Sequence, residues 1–377
     1  MSRMNTIDQN TTLEIDLKSI SHNFKKIKKK VRKDCIVAAT VKANAYGLGV
    51  KKVAQSLIKE GCKDFFVATL IEGIELRSYN KSINIYILNG LDSGKCSTYK
   101  KYKLTPVLNS LKQIREYETY QSKIKISMNA IIHFDTGMSR LGLDEGETKK
   151  LINNKNNILK KTNIRYIMSH LACGDDPKSK KNSKQLKMFR EISKSFKNIK
   201  VTMANSAGVL LGKNYHFDMV RPGISIYGGN AQKNKKSTYR HVVKLTAKLI
   251  QIRQIKKGST VGYGATYKAK RKMIIGTISI GYADGLNRLF SNNMKCYYKK
   301  KEINLIGRVS MDLITLDLSK FQKKDVQINS RIEIINDQNN INQICKNIGT
   351  IPYEILTNLG HRSVSYTHLT LPTKLSV

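Results

Sequence analysis

A single lysine is the residue of this chain best placed to do chemistry. In Ala38-Ala-Thr-Val-Lys-Ala-Asn-Ala-Tyr-Gly-Leu-Gly-Val50, an apolar, β-favouring run from Cys35 to Val41 delivers Lys42 to a strand end. A turn of small residues carrying Tyr46, Gly47 and Gly49 follows, and then a helical pattern begins. A desolvated amine has a depressed pKa, so near neutrality it can act as a base and as a nucleophile toward a carbonyl. Glycines let the backbone approach a bulky cofactor closely. Taken alone, Lys42 would read as a surface lysine, because exposed lysines far outnumber catalytic ones.

Other reactive residue types recur at similar places. Asp135, His170, Asn205 and Ser206 each fall at or just beyond the end of a β-favouring run. Hydroxyls and backbone N–H groups at such turns are a usual means of holding phosphate, although Ala204-Asn-Ser-Ala-Gly208 could equally be a helix cap. Tyr263 lies between two glycines in Val261-Gly-Tyr-Gly-Ala-Thr-Tyr267, where a hairpin-turn aromatic is the ordinary reading. Its reference pKa is near 10, so it would need a cationic neighbourhood to act as a base.

These groups need elements to hold them. Strand patterns run over 13–17, 35–42, 64–70, 83–89, 104–108, 126–135, 164–170 and 201–204. Amphipathic helical stretches lie between most of them, at 50–59, 71–78, 110–120, 149–160 and 181–196. About eight βα repeats predict a (β/α)8 barrel over residues 10–235, with a doubly wound open sheet as the alternative; barrel active sites gather at the carboxyl ends of the strands. The stretch from Gly228 to Arg240 is polar and basic and reads as a linker. Beyond it, β patterns at 242–255, 273–280, 295–298, 302–306, 313–318 and 331–335, with one helix at 341–349, predict a mainly β domain over 236–377.

The chain has 377 residues, 40% hydrophobic and 25% charged, as expected of a soluble protein with two domains. Its net charge of +41 could mark a nucleic-acid or membrane binder. The lysines are spread along the whole chain among Asn and Ile, however, which reads as solvated surface rather than as a specific patch. No specific nucleic-acid partner and no membrane are therefore expected. The six cysteines have no metal-ligand spacing and read as free thiols of a reducing compartment. No metal is expected. Without an apolar signal core near the start, a cytoplasmic location is expected.

The Lys42 segment strongly resembles the pyridoxal-phosphate (PLP) lysine signature of the alanine racemases, and further motifs match in order as far as Tyr353. The resemblance implies an N-terminal PLP-binding barrel, a C-terminal β domain and a homodimer with shared active sites. The activity it implies is interconversion of L- and D-alanine for peptidoglycan by two bases. Lys42 would hold the cofactor and serve one face, and Tyr263 the other. Arg221, in Met219-Val-Arg-Pro-Gly-Ile-Ser-Ile-Tyr227, would face the pyridine nitrogen, and His170 would link it to the tyrosine. Tyr46, Asn205, Ser206, the Gly223 and Ile224 amides and Tyr353 would bind the cofactor's phosphate end. Arg140, in Phe134-Asp-Thr-Gly-Met-Ser-Arg-Leu-Gly142, and Met311, beside Asp312 in Gly307-Arg-Val-Ser-Met-Asp312, would hold the substrate carboxylate. Tyr282 would stand near the entrance, and Asp175, Arg288 and Arg308 would line a narrow approach.

Three departures accompany the match. Leu48 replaces a frequent His. His133 stands where several relatives carry a carbamylated lysine, so Arg140 must be held in another way. Residues 363–377 lack the basic, aromatic ending of the family and look foreign. A broader amino-acid racemase, a non-catalytic PLP carrier and a nucleic-acid binder are the rival readings.

Overall fold

The computed structural model describes residues 10–233, 235, 237–322 and 324–359, with the backbone of 364–367. It divides into two units, one spanning Ile20–Tyr239, the other joining the chain up to Ser19 to the chain from Arg240 onward.

Strand β1 (Thr11–Asp16) alternates buried and half-buried residues, as a sheet with one covered face requires. It belongs to the second unit and is not the first barrel strand expected over 13–17. The first unit holds β2 (Ile36–Val37), β3 (Ala39–Thr40), β4 (Asp64–Val67), β5 (Asn84–Ile87), β6 (Thr105–Leu108), β7 (Asn129–His133), β8 (Asn163–Met168), β9 (Lys200–Asn205) and β10 (Met219–Arg221). Neighbouring strands pair in parallel, in the order β2-β10-β9-β8-β7-β6-β5-β4-β3. Only Ala38 separates β2 from β3. On one side, the Ile36, Ala38 and Thr40 N–H groups donate to the Asp218, Val220 and Pro222 carbonyls at 2.9 Å. On the other side, Ala39 and Thr40 pair with Phe65 and Phe66. The two sheet edges are thus one strand, and the nine strands close into a barrel of eight positions.

The eighth position is taken by Met219–Arg221, a stretch recognised by its motif and not as a strand. Three residues ending at Arg221, just before Pro222, are too short to show a period, yet all three are buried. The interior is filled by Ala38, Phe66, Tyr86, Val107, Ile131, Tyr166, Met168 and Met219, so the barrel is a packed core and not a pore. Helices alternate with the strands. Their starts are fixed by side-chain caps, such as Thr69 with Glu72, Ser110, Ser179 and Asn205. Asp144 caps a helix at Glu145–Asn153, which moves the stretch expected at 149–160 toward the N-terminus.

In the second unit, the long β11 (Val243–Ile255) pairs along its length with β1 and with two later strands. The small hairpin β12 (Thr260–Val261) and β13 (Tyr267–Lys268) follows, then β14 (Met273–Ile278), β15 (Lys295–Tyr298), β16 (Lys301–Ile306), β17 (Ile314–Asp317) and β18 (Arg331–Ile335). The order β11-β14-β17-β16-β15-β18 returns to β11 through antiparallel pairs only. Strand β1 lies antiparallel on β11, and β19 (Val364–Thr367) lies parallel on β1. Part of the foreign-looking tail therefore pairs as a strand; residues 363 and 368–377 lie outside the described residues. A second late helix, Pro352–Asn358, carries Tyr353. Among the described residues no helix is long and apolar enough to cross a membrane, and all six cysteines are free thiols.

Candidate active site

Lys42 sits where the barrel strand stops. The Val41 N–H still donates to the Phe66 carbonyl at 2.9 Å. Ala43, Asn44, Ala45 and Tyr46 then take φ of 52–57°, one turn of left-handed helix. For residues with a Cβ this conformation costs roughly 1–2 kcal/mol each, so other contacts must hold it. Gly47 and Gly49, at φ 82° and 85°, continue it without that penalty. The Val50 N–H donates to Asn44 Oδ1 at 2.7 Å, and the Ala43 N–H to Glu72 Oε1 at 2.8 Å. Burial and then the Arg140 charge pull the Lys42 amine below its ordinary pKa, and Glu72 opposes them. Tyr46 is buried against Tyr227 with ring centroids 4.8 Å apart, and the Tyr227 hydroxyl donates to the Thr40 carbonyl at 2.9 Å.

Arg221 ends β10 as a buried cation. Its Nη1 donates to Thr202 Oγ1 at 2.5 Å, and its Nη2 to the carbonyls of Ser169 (2.9 Å) and Met203 (3.1 Å). Nη2 also lies 3.3 Å from His170 Nδ1. Burial brings Arg221 down to about 9, which leaves it charged at neutral pH. Burial, then Arg221 and Arg140, hold His170 well below its usual value. The ring is neutral and accepts at Nδ1, so its proton is on Nε2; the nearest Asn205 atom, Nδ2 at 3.5 Å, is itself a donor and does not accept that proton.

Beside it, Ser206 Oγ accepts the N–H groups of Gly223 (2.9 Å) and Ser225 (3.2 Å), leaving its own proton to be donated. The Gly223 amide, expected to face a phosphate, is thus given to Ser206. Ile224 is buried next to it. A Cβ on Gly223 would lie 2.3 Å from the Tyr46 phenol oxygen, so only glycine permits this approach. Asn205 caps helix Ser206–Leu211 through the Gly208 N–H at 2.9 Å.

Arg140 is exposed at the end of a loop organised by Asp135. The Asp135 carboxylate accepts the N–H groups of Gly137 (2.8 Å), Met138 (2.8 Å) and Ser139 (2.9 Å). Burial works to raise this carboxyl, but the three bonds outweigh it and keep its pKa low. His133 is buried, and its Nδ1 lies 2.8 Å from Asn109 Oδ1. Asn109 Nδ2 donates to the Leu88 carbonyl at 3.0 Å, so its oxygen faces the ring and His133 Nδ1 is the donor. Burial, Arg221 and Arg140 push His133 down to about 3. A neutral imidazole brings no negative charge to Arg140; the Asp135 bonds order the backbone up to Ser139, and the Arg140 side chain beyond it is exposed.

The remaining candidates lie in the second unit. Tyr263 opens the turn Tyr263–Ala265 between Gly262 (φ 72°) and Gly264 (φ 70°) and is 72% exposed. Arg308 lies against this turn, since a Cβ on Gly264 would sit 2.8 Å from its Nη1. The Tyr282 N–H donates to the Ser310 carbonyl and the Ala283 N–H to the Met311 carbonyl, both at 3.0 Å. That packing places Tyr282 and Met311 on adjoining loops, 46% and 52% exposed. Asp312 and Arg288 are exposed nearby in sequence. In the barrel unit Asp175 pairs with Lys233 at 3.0 Å.

Models of two domain families match nearly end to end: "Alanine racemase, N-terminal domain" over residues 15–231 and "Alanine racemase, C-terminal domain" over 242–366. The chain belongs to the alanine racemase family. It is 39% identical over 364 residues to the alanine racemase of Brucella suis, covering 93% of this chain and 91% of that protein. With that of Rickettsia bellii it shares 40% over 332 residues, covering 88% and 81%. The crystal structure of the Bartonella henselae enzyme, which carries covalently bound pyridoxal phosphate, superposes with a TM-score of 0.91 at 37% identity, covering 95% of this chain and 99% of that one. The biosynthetic alanine racemase of Pseudomonas aeruginosa gives 0.88 at 29%, covering 96% and 100%.

Sequence reasoning passed over Glu72, Asn109, Thr202 and Tyr227. Only Glu72 carried a local signal, the capping pattern Thr69-Leu-Ile-Glu72.

Proposed function

We propose that this chain runs its family's reaction, interconversion of L- and D-alanine, with PLP held on Lys42 and with Lys42 and Tyr263 as the opposed bases. The observation that carries the reading is Lys42 itself: a half-buried amine of lowered pKa, set at a barrel mouth by a left-handed turn. The surrounding residues fit the cofactor. Gly223 leaves a cradle that a Cβ would fill, and Ser206 keeps a proton for an anionic oxygen. Tyr46, Asn205, Ile224 and Tyr353 would complete the phosphate end, and Arg221 with His170 would hold the ring nitrogen.

Bound there, PLP supplies an electron sink that acidifies the amino acid's Cα–H. Lys42 Nζ exchanges that proton on one face, and the Tyr263 hydroxyl exchanges it on the other. Arg140 and the Met311 N–H hold the carboxylate between them, with Asp312 and Tyr282 beside the approach. Arg221 donates a hydrogen bond without giving up its proton, which limits side reactions such as transamination. Tyr263 and Met311 stand exposed on a single chain, which suits groups lent to a second copy in a homodimer. The reaction would run in the cytoplasm and feed D-alanine to peptidoglycan precursors, and a narrow approach would favour a methyl side chain over larger ones.

Racemisation assays with PLP on L-alanine, L-serine and L-lysine test the proposal. Alanine is expected to turn over fastest. Deuterium exchange at Cα without net racemisation would remove one of the two bases, and no exchange at all would reduce the chain to a cofactor carrier.

A further inference from the structure

The reading of Lys42 as the cofactor lysine leaves open what keeps its strained turn in place. We propose that Glu72 is a positioning residue for Lys42: its carboxylate fastens the left-handed turn, which begins directly after Lys42, to the end of β4.

Glu72 begins as a helix cap. Its N–H donates to Thr69 Oγ1, and its Oε2 accepts the Thr69 N–H, both at 3.3 Å. A capping box accounts for these two bonds and no others. Here Oε2 also accepts the Ala68 N–H at 2.7 Å, and Oε1 reaches across 29 residues of sequence to the Ala43 N–H at 2.8 Å. These two bonds are shorter than the cap bonds, and a charged acceptor makes such bonds roughly twice as strong as neutral ones. The carboxylate is therefore oriented by β4 and the Lys42 turn more than by its own helix.

Ala43 is the first left-handed residue, directly after Lys42. Within the turn, the Ala45 N–H donates to the Val41 carbonyl and the Gly47 N–H to the Ala43 carbonyl, both at 2.8 Å. Asn44 closes the far end through the Val50 N–H. Glu72 takes the donor at the near end. Both carboxylate oxygens are in use, so glutamine, with one acceptor oxygen, could satisfy only one side. Burial and Arg140 both work to discharge the Lys42 amine, and Glu72 is the group that counters them.

The test uses the full chain loaded with PLP, as native protein, Glu72→Gln, Glu72→Asp and Thr69→Ala. The last breaks the cap and leaves the Ala43 contact intact. Four quantities are read: visible circular dichroism of the bound cofactor, the rate at which hydroxylamine strips it, kcat in both directions, and the melting temperature. In Glu72→Gln the stripping rate is expected to rise and kcat to fall in both directions, each by about tenfold or more, as loss of alignment at a reacting group implies. The cofactor's dichroism should weaken, and Glu72→Asp should recover part of each effect. Thr69→Ala should lower the melting temperature and leave the cofactor readouts near native. Matching cofactor readouts in Glu72→Gln and Thr69→Ala would make Glu72 a cap only and overturn the inference. Should Glu72→Gln fail to fold, native stripping in Glu72→Asp, whose shorter side chain cannot span both N–H groups, would overturn it equally. A native protein that shows no cofactor band would instead overturn the functional reading, and this inference with it.

Discussion

Arg221 and Tyr263 stand at opposite extremes of this molecule. The guanidinium is enclosed by the barrel, with Thr202, Ser169, Met203 and His170 all within bonding distance. The phenol is 72% exposed on a turn between two glycines. The same contrast separates Ser206 from Met311 and His170 from Tyr282. In the barrel unit Arg221, His170 and Ser206 are held by bonds from their own chain, as buried polar groups must be, while Arg140 stays exposed. In the second unit the loops are well packed, through Gly281, Ser310 and Met311, but their functional side chains are left for something else to cover. A prebuilt half and a presented half are what the proposed sharing of the site between two copies would require.

The contrast can be broken most severely at its centre. Lys42→Ala should abolish racemisation in both directions and remove the visible absorbance of bound cofactor. Any remaining activity above about a thousandth of native would mean that another group supplies that base. Tyr263→Phe should act on the presented half alone: the cofactor spectrum should persist, proton removal from one enantiomer should fall by about 10²–10⁴-fold, and the opposite half-reaction should partly survive. Deuterium wash-in from each enantiomer measures this, and equal mild losses in both directions would end the two-base assignment.

Gly223→Ala is a smaller intrusion into the prebuilt half. The added methyl meets the Tyr46 phenol, and overpacking of this kind costs about 1–3 kcal/mol, so cofactor affinity should fall by roughly tenfold or more on titration of the apo protein. The smallest effect concerns acid stability. His133 titrates at about 3 when folded, below its ordinary 6.5. The unfolded chain therefore binds the proton first as pH falls, and stability is fully present above 6.5 and lost down toward 3. The loss approaches about 1.4 kcal/mol per pH unit for this group. His133→Gln should flatten that part of the denaturation-against-pH curve, and an unchanged slope would mean that His133 is not held neutral.

Much of this was legible in the chain. The Lys42 run, the strand ends at Asp135, His170 and Asn205, and the β-rich second half were readable because period and turn chemistry are local. The misses were non-local. Alternation in Thr11–Asp16 carries the mark of a one-faced sheet, but only the pairing with β11 reveals which sheet it joins. Met219–Arg221 is too short for any period, and barrel closure alone makes it a strand. The Gly223 amide looked free because nothing in Arg-Pro-Gly announces that Ser206 will accept it. Glu72 showed its cap and hid its bond to Ala43, which depends on how β4 lies beside the Lys42 strand.

The central claim is that Lys42, among the many lysines of this chain, bears the cofactor. Borohydride reduction of the PLP-loaded protein, followed by peptide mass mapping, tests it most directly. The account predicts a single reduced adduct on Lys42, lost when substrate is present at saturation before reduction. An adduct on a different lysine, or labelling scattered over the surface with Lys42 unmodified, would contradict it.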